Sequence, residues 1–207
     1  DEAQDLSAMQ CRAVARRSPH GSITVLGDLA QGTSPWAARD WSVSMEHMGK
    51  PGSRVVALTT GFRVPESIIA LANRLLPALD VDVPEARSLR RDGLLDLRET
   101  DALDTELAAA VADALTFEGS VGVIGTEETL DAVRAVLPED DERVTLMPAS
   151  LAKGLEFDHV IVAEPAKIVA AEARGLHRLY VVLTRAVSRL TIVHTEPLPD
   201  MLRESAA

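Results

Sequence analysis

The chain holds one cysteine, Cys11, in 207 residues, so it cannot close an internal disulfide. No Cys/His pair stands at ligand spacing, which removes the basis for a structural zinc, and Cys11 is expected to be a small core residue. Aromatic residues are also scarce, at 3% of the chain with Trp36 and Trp41 the only tryptophans, which argues against an extended base-stacking platform. No apolar run reaches the roughly 18 residues that a membrane helix needs, and no charged-then-apolar leader opens the chain. The expectation is a cytoplasmic protein without membrane contact. Positive charge is in deficit: 21 Lys and Arg stand against 32 Asp and Glu, a net −11 with a pI near 4.9. A surface of that sign cannot grip phosphate backbone as a whole, so any nucleic-acid contact has to be local.

What is present suffices for a globular fold. Hydrophobic residues make up 46% of the chain, enough to fill one α/β domain plus part of another. Residues 6–17 carry helical periodicity and end at Ser18-Pro19-His20-Gly21. Residues 22–26 predict a short buried strand ending in Gly27-Asp28, and 31–41 a loop. Met48-Gly49-Lys50-Pro51-Gly52-Ser53 is the best linker candidate, because clustered Gly and Pro neither pair in a sheet nor continue a helix. Beyond it the pattern alternates. Strands are expected at 55–59, 121–124, 143–146, 159–162 and 190–193, and helices at 65–76, 104–115, 127–137 and 176–187. That alternation implies a largely parallel sheet with helices on both faces. Residues 81–100, with Arg87, Arg90 and Arg91, and the acidic run Glu139-Asp140-Asp141-Glu142 predict solvated irregular surface.

In parallel α/β sheets ligands gather at the carboxyl ends of strands, so polar residues near predicted strand ends are the ones to inspect. Five groups occur in order: Asp1-Glu2-Ala3-Gln4; Gly27-Asp28-Leu29-Ala30-Gln31; Gly61-Phe62-Arg63; Lys153-Gly154-Leu155-Glu156; and Thr184-Arg185-Ala186 after Tyr180-Val181-Val182-Leu183. Each alone is weak. Asp-Glu near a helix start favours the helix dipole, Lys-Gly-Leu-Glu is an ordinary turn, and both arginines could be surface residues.

Taken in this order and spacing, the five groups resemble motifs II to VI of the UvrD/Rep-type superfamily 1 helicases, over nearly the whole chain. The resemblance implies a RecA-like α/β fold, with residues 1–50 a remnant of a first RecA-like domain and 51–207 the second. It also implies ATP and Mg²⁺ as cofactors. Asp1 would hold the metal, Glu2 would polarise the attacking water, and Gln4 and Gln31 would sense the γ-phosphate with Asp28 setting the loop. Arg63 and Arg185 would be arginine fingers. Glu156 would accept a hydrogen bond from the ribose, Lys153-Gly154 would shape the loop coupling nucleotide to strand, and Tyr180 belongs to the same nucleotide-side set. Trp36 would stack on a nucleic-acid base, with packing beneath a loop as the alternative; Trp41 is expected in the core.

The chain departs from the family in places. Only residues 138–149 separate a predicted helix from motif V, too few for the large accessory domain of Rep-like helicases. Pro148 and Ser150 stand where Thr and His are common, and Ser34 where an aromatic is common. The wording around Asp-Glu-Ala-Gln-Asp-Leu-Ser, Leu-Gly-Asp-Leu-Ala-Gln and Gly61-Phe62-Arg63-Val64-Pro65 is most similar to the HelD branch, whose members act on bacterial RNA polymerase. The implied partners are therefore RNA polymerase and its bound nucleic acid, or single-stranded DNA, together with the preceding part of the same polypeptide. A docking module remains the alternative of a different class. Residues 1–50 are expected to be poorly held or displaced when the strands beside them are missing. The glycine-rich Lys-Ser/Thr phosphate cradle is absent from these 207 residues, so the chain by itself is predicted not to hydrolyse ATP. Magnesium-dependent phosphate release by the purified chain, above that of a blank preparation, would overturn this.

Overall fold

The computed structural model describes residues 1–18, 20–136 and 141–203. In the first segment, Ser7 opens α1 (Ala8–Arg16) through a capping box. Its hydroxyl accepts from the Gln10 N–H, while the Gln10 side chain accepts from the Ser7 N–H at 2.8 Å. Asp40 caps α2 (Trp41–His47) by accepting from the Ser42 N–H at 2.6 Å. These two helices meet over Cys11, Met45 and Met48, with Leu6, Val25 and Trp41 packed at the margin. Cys11 is thus a core residue, and Trp41 borders a small satellite core.

The main body follows as β1 (Thr60–Gly61), α3 (Glu66–Asn73), β2 (Arg87–Ser88), β3 (Leu94–Glu99), α4 (Leu103–Leu115), β4 (Val121–Gly125), α5 (Glu127–Val133), β5 (Val144–Pro148), β6 (Phe157–Ala163), α6 (Pro165–Ala170), α7 (Gly175–Leu183) and β7 (Ala186–His194). Five strands form one sheet in the order β3-β7-β6-β4-β5, every pair parallel, and β1 and β2 form a separate parallel pair. The central strand β6 is buried along nearly its whole length, as expected of a strand covered on both faces. One apolar layer joins Ile68 and Leu71 of α3, Ile168 of α6 and Leu179 and Leu183 of α7 to the sheet. The opposite layer joins Leu107 and Val111 of α4 and Leu130 and Val133 of α5 to Val121, Val123 and Ile161. The expected parallel α/β fold with helices on both faces is present.

Several local expectations are corrected. Residues 22–26 and 54–58 form no ladder among the described residues, because a strand exists only where a neighbour takes up its N–H and C=O groups. Leu26 offers its carbonyl to the Ala3 N–H at 3.1 Å, and Val55, Val56 and Leu58 lie exposed. Of the strand expected at 55–59, only the following Thr60–Gly61 pairs. Conversely, the stretch 81–100 holds β2 and the edge strand β3, hidden in the sequence by the charges Asp96 and Arg98. Arg98 in fact ties Asp96, Glu106 and Asp113 at 2.6–3.0 Å, and Arg90 donates to the carbonyls of Arg63 and Val187 at 2.6 and 2.7 Å. The helix expected to reach residue 187 stops at Leu183, where Thr184 turns its hydroxyl back onto the Tyr180 carbonyl at 3.0 Å. The expected helix end at Leu137 and the acids Glu139 and Asp140 lie outside the described residues.

Close approach of α6 to α7 rests on Gly175, where an added Cβ would stand 1.9 Å from the Val169 carbonyl oxygen. Backbone cannot yield there as a side chain can, so Gly175→Ala is expected to destabilise the chain by at least about 1–3 kcal/mol. An unchanged urea midpoint would contradict that packing.

Candidate functional site

The amino ends of β6 and β7 carry Lys153, Gly154, Glu156 and Arg185. These residues precede Phe157 and Ala186, the first residues of the two strands. The side chains therefore gather at the amino edge of this sheet, not at the carboxyl edge that the general rule for parallel sheets favours. At the carboxyl end of β6, Glu164 adopts φ 52° and is fully buried. Its carboxylate accepts from the Thr195 N–H at 2.8 Å and hydroxyl at 2.5 Å, and from the Glu196 N–H at 3.3 Å. Its acceptors are thus taken up by the residues that follow β7.

The first segment docks on the amino edge. Ala3–Asp5 forms one 3₁₀ turn preceded by Glu2 in the left-handed region, φ 55°. The turn buries Gln4 completely. Gln4 donates to Glu2 Oε2 at 2.7 Å and accepts from the Asp28 N–H at 3.2 Å. Asp28 caps the turn Leu29–Gln31, accepting from the Ala30 N–H and from the Gln31 amide, each at 2.9 Å. Two sequence groups are thus fused into one polar cluster, and the expected displacement of residues 1–50 is not what the structure holds.

Lys153 crosses to this cluster. Its ammonium lies 2.8 Å from Glu2 Oε2, pairs with Asp5 Oδ2 and donates to the Gln31 carbonyl at 3.0 Å. All three ammonium donors find acceptors. Arg185, buried after α7, donates to Gln31 Oε1 at 3.1 Å, to the Val181 carbonyl at 3.1 Å and to the Leu155 carbonyl at 3.3 Å. Arg63 pairs with Glu156. Asp1 is exposed and accepts only from the adjacent Glu2 N–H at 2.9 Å. Gly154, at φ 82° with open space around it, supplies a backbone conformation that an L residue resists. Tyr180 stands apart: buried, it lines a cavity of about 720 Å³ between residues 23–29, 53–58 and 82–86. Trp36 is 58% exposed, and its ring N–H donates to the Asp5 carbonyl at 2.8 Å, so it is not packed beneath the loop.

The electrostatics follow from this pairing. Partial burial opposes ionisation of Glu2 and Asp5, yet the hydrogen bonds and charge of Lys153 outweigh it and hold both carboxyls below their ordinary values. Burial and nearby Arg63 push Arg185 down, partly offset by Glu156, Glu2 and Asp28. Burial pushes the Tyr180 phenol up, helped by Asp28. Among the described residues no three Asp, Glu, His or Cys converge as a cation cage.

Sequence reasoning missed three contributors. Asp5 holds Lys153 and accepts from the Thr33 and Ser34 N–H groups at 3.0 and 2.8 Å. Arg174 donates to the Gly32 carbonyl at 2.7 Å, and the His177 ring meets the Ala30 carbonyl at 3.0 Å. The spacing of Asp5 three residues after Glu2 was a usable signal, since one turn puts both on one side. Nothing local marks Arg174 or His177, whose partners lie more than 140 residues away.

Two of the three comparisons found nothing: no family model matches the chain, and no curated protein does. Among solved structures, the chain is similar to one described as the C-terminal domain of a possible DNA helicase from Lactobacillus plantarum WCFS1. They share 23% identity at a TM-score of 0.48, over 69% of this chain and 92% of that one. A likeness of that degree carries no argument about activity, and the functional reading rests on the residues of this chain. No helix among the described residues is long and apolar enough to cross a membrane.

Both carboxyls are depressed in the folded chain, so their pairing with Lys153 adds stability that is complete above their ordinary values of 4.5 and 3.8. That contribution is lost as the pH falls through the lower folded values. Both tryptophans belong to the docked segment, so their fluorescence is expected to report its release only as the pH falls below the ordinary values of 4.5 and 3.8, and Lys153→Met is expected to flatten that transition. An identical acid transition in wild type and Lys153→Met would refute a role for this pairing in holding the segment.

Proposed function

We propose that this chain is the C-terminal motor part of an ATP-driven superfamily 1 helicase or translocase, in which nucleotide turnover moves the first segment against the parallel α/β body. The observation that carries the reading is the contact of buried Arg185 with Gln31, 3.1 Å across 154 residues of sequence. A planar, always-charged donor meets a neutral amide beside Glu2 and Lys153, an arrangement suited to a phosphate that forms, moves and leaves.

ATP with Mg²⁺ would supply the phosphoanhydride whose cleavage drives the motion. The donor set fits such a group, because Arg63, Arg185 and Lys153 bring three cations to one edge and each makes at least one side-chain contact that a polyanion can replace. Exposed Asp1 is the residue to hold the metal, which ordinarily takes one or two carboxylates and completes its shell with phosphate oxygens and water. Glu2 accepts the proton of the attacking water, with Gln4 and Asp28 holding it and Gln31 in place. Arg185 and Arg63 donate to the developing negative charge, Glu156 takes a ribose hydroxyl, and Lys153-Gly154 relays the change to β6. Tyr180, buried near the end of α7 on the side of Asp28, would support the nucleotide side from beneath.

The motor belongs, on this reading, to a cytoplasmic HelD-like factor that remodels RNA polymerase complexes, the acidic surface and scarce aromatics favouring a protein partner over an extended nucleic-acid track. A single-stranded DNA translocase that unwinds duplex is the second reading, favoured by exposed Trp36. A pure docking module is the third, and the buried polar cluster speaks against it, since docking needs no such set.

The test is steady-state ATP turnover of the intact parent protein, alone, with single-stranded DNA and with core RNA polymerase. Activity tied to polymerase and indifferent to DNA is expected; strong DNA stimulation would sustain the translocase, and no turnover in any condition the docking module. Arg63→Ala and Arg185→Ala are each expected to cut turnover by on the order of 10³-fold or more. Full activity in both would end the arginine-finger assignment.

A further inference from the structure

Arg63 stands outside the five-stranded sheet. It follows β1, which pairs with β2 so that Gly61 lies opposite Ser88, whereas Arg185 leads directly into β7 of the main sheet. The two arginines therefore sit on separate pieces of backbone. Arg63 pairs with Glu156, but the two side chains are 49% and 42% exposed, and a surface pair of that kind holds its partners weakly. A fixed placement of Arg63 against Arg185 has to come from the main chain. Part of it is apolar, since Val64 is buried in the core beside α3.

Arg90 supplies the rest. Its Nη1 donates to the Arg63 carbonyl at 2.6 Å and to the carbonyl of Val187, two residues past Arg185, at 2.7 Å. Asp92 fixes the other side of the fork, accepting from Nε and from Nη2, each at 3.0 Å and each on its own oxygen. Four of the five guanidinium N–H groups are thereby directed, an orientation that a planar fork can hold and a point charge cannot.

The backbone that carries Arg90 is held as well. The Arg90 N–H donates to Ser88 Oγ at 3.1 Å, and the Arg90 carbonyl accepts from the Glu66 N–H at 2.7 Å. At Gly93 the chain runs so close to the start of α3 that an added Cβ would stand 2.0 Å from Pro65 Cβ. Arg91, next in sequence, turns outward instead: its side chain is 87% exposed and lies 3.4 Å from Glu66.

We propose that Arg90 is a positioning residue for phosphoryl transfer: by bridging the main chains at Arg63 and Val187 it keeps Arg63 in register with Arg185, so that both guanidinium groups reach one phosphate. This rests on the motor reading, in which Arg63 and Arg185 donate to the developing charge. Arg90 acts through the two carbonyls and not through its own charge, which faces Asp92. Placement at this precision matters, because a shift of about 1 Å in a group that acts on the transition state can cost on the order of 10²-fold in rate.

The experiment measures kcat and KM for ATP in the intact parent protein, under the condition that stimulates wild type most, with urea midpoints alongside. The variants are Arg90→Gln, Arg90→Lys, Asp92→Asn, Arg91→Gln and the double variant Arg63→Ala/Arg90→Gln. Arg90→Gln is expected to lower kcat by about 10–100-fold with KM within about threefold of wild type, the split that follows when an interaction made only in the transition state is lost. Arg90→Lys keeps the charge without the fork and is expected to fall nearly as far. Asp92→Asn, at a side chain 67% exposed, is expected to lower kcat less and to leave the urea midpoint unchanged. Arg91→Gln is expected to match wild type. In the Arg63→Ala background Arg90→Gln is expected to change kcat by less than about threefold, because the group it places is gone. Wild-type kcat in Arg90→Gln, full recovery in Arg90→Lys, or losses that multiply in the double variant would each overturn the proposal. Should Arg90→Gln not fold, wild-type kcat in Asp92→Asn overturns it instead. Absence of turnover by wild type, or full activity of Arg63→Ala alone, removes the motor reading and this proposal with it, and either is recognised without any Arg90 variant.

Discussion

Among the polar contacts that join residues 1–50 to the main body, one ammonium group makes three. Lys153, placed just before β6, is held by Glu2, Asp5 and the Gln31 carbonyl. A cation drawn partly out of water is tolerated only when its donors are met, and here every acceptor belongs to the first segment. Residues 1–50 share little core with the main body; their own apolar cluster is small, and Ala30 is the member that reaches the larger one. The register of the first segment on the sheet is consequently a polar matter, set by Lys153, Arg185 and Arg174. A polar seam of this kind can be rearranged by charge, whereas an apolar seam would have to open against the hydrophobic effect.

Sheet topology decides where that seam lies. Because β6 and β7 are adjacent and parallel, the residues before them emerge side by side at one edge, and Lys153, Glu156 and Arg185 come from loops that sequence keeps about thirty residues apart. At the opposite edge buried Glu164 is satisfied by Thr195 and Glu196. A body whose open edge faces another segment is suited to work between two parts, since a ligand there touches both and any change in it is felt by both.

The loop 32–39 links this seam to the outer face. Gly32 lies against Arg174, where an added Cβ would come within 3.4 Å of the guanidinium and 2.9 Å of the Ala37 methyl. Gln31, one residue earlier, touches Arg185. Two arginines flanking α7 thereby grip neighbouring residues of one short loop, and Trp36 and Arg39 ride on it. The loop thus connects the polar cluster to the exposed Trp36 and Arg39 within a few residues.

Sequence by itself determined the layers of the fold and the membership of most of the polar cluster. The β/α alternation after residue 50 follows from periodicity, and chain-local chemistry marked α1, whose capping box is written in Ser7 and Gln10. The order and spacing of the five motif-like groups singled out Glu2, Gln4, Asp28, Gln31, Lys153 and Arg185, since each group taken alone reads as an ordinary cap, turn or surface residue. Tertiary structure alone decided the rest. Residues 22–26 and 54–58 have β-type composition yet form no ladder among the described residues, since pairing depends on a neighbour and not on propensity. The edge strand β3 reads as irregular because Asp96 and Arg98 look solvated until Glu106 and Asp113 arrive from α4 to meet the arginine. Pairings such as Lys153 with Asp5, Arg185 with Gln31 and Arg174 with Gly32 join residues more than 140 positions apart. A hydrogen bond is a short-range contact, and only the folded path of the chain says which distant groups come within its reach.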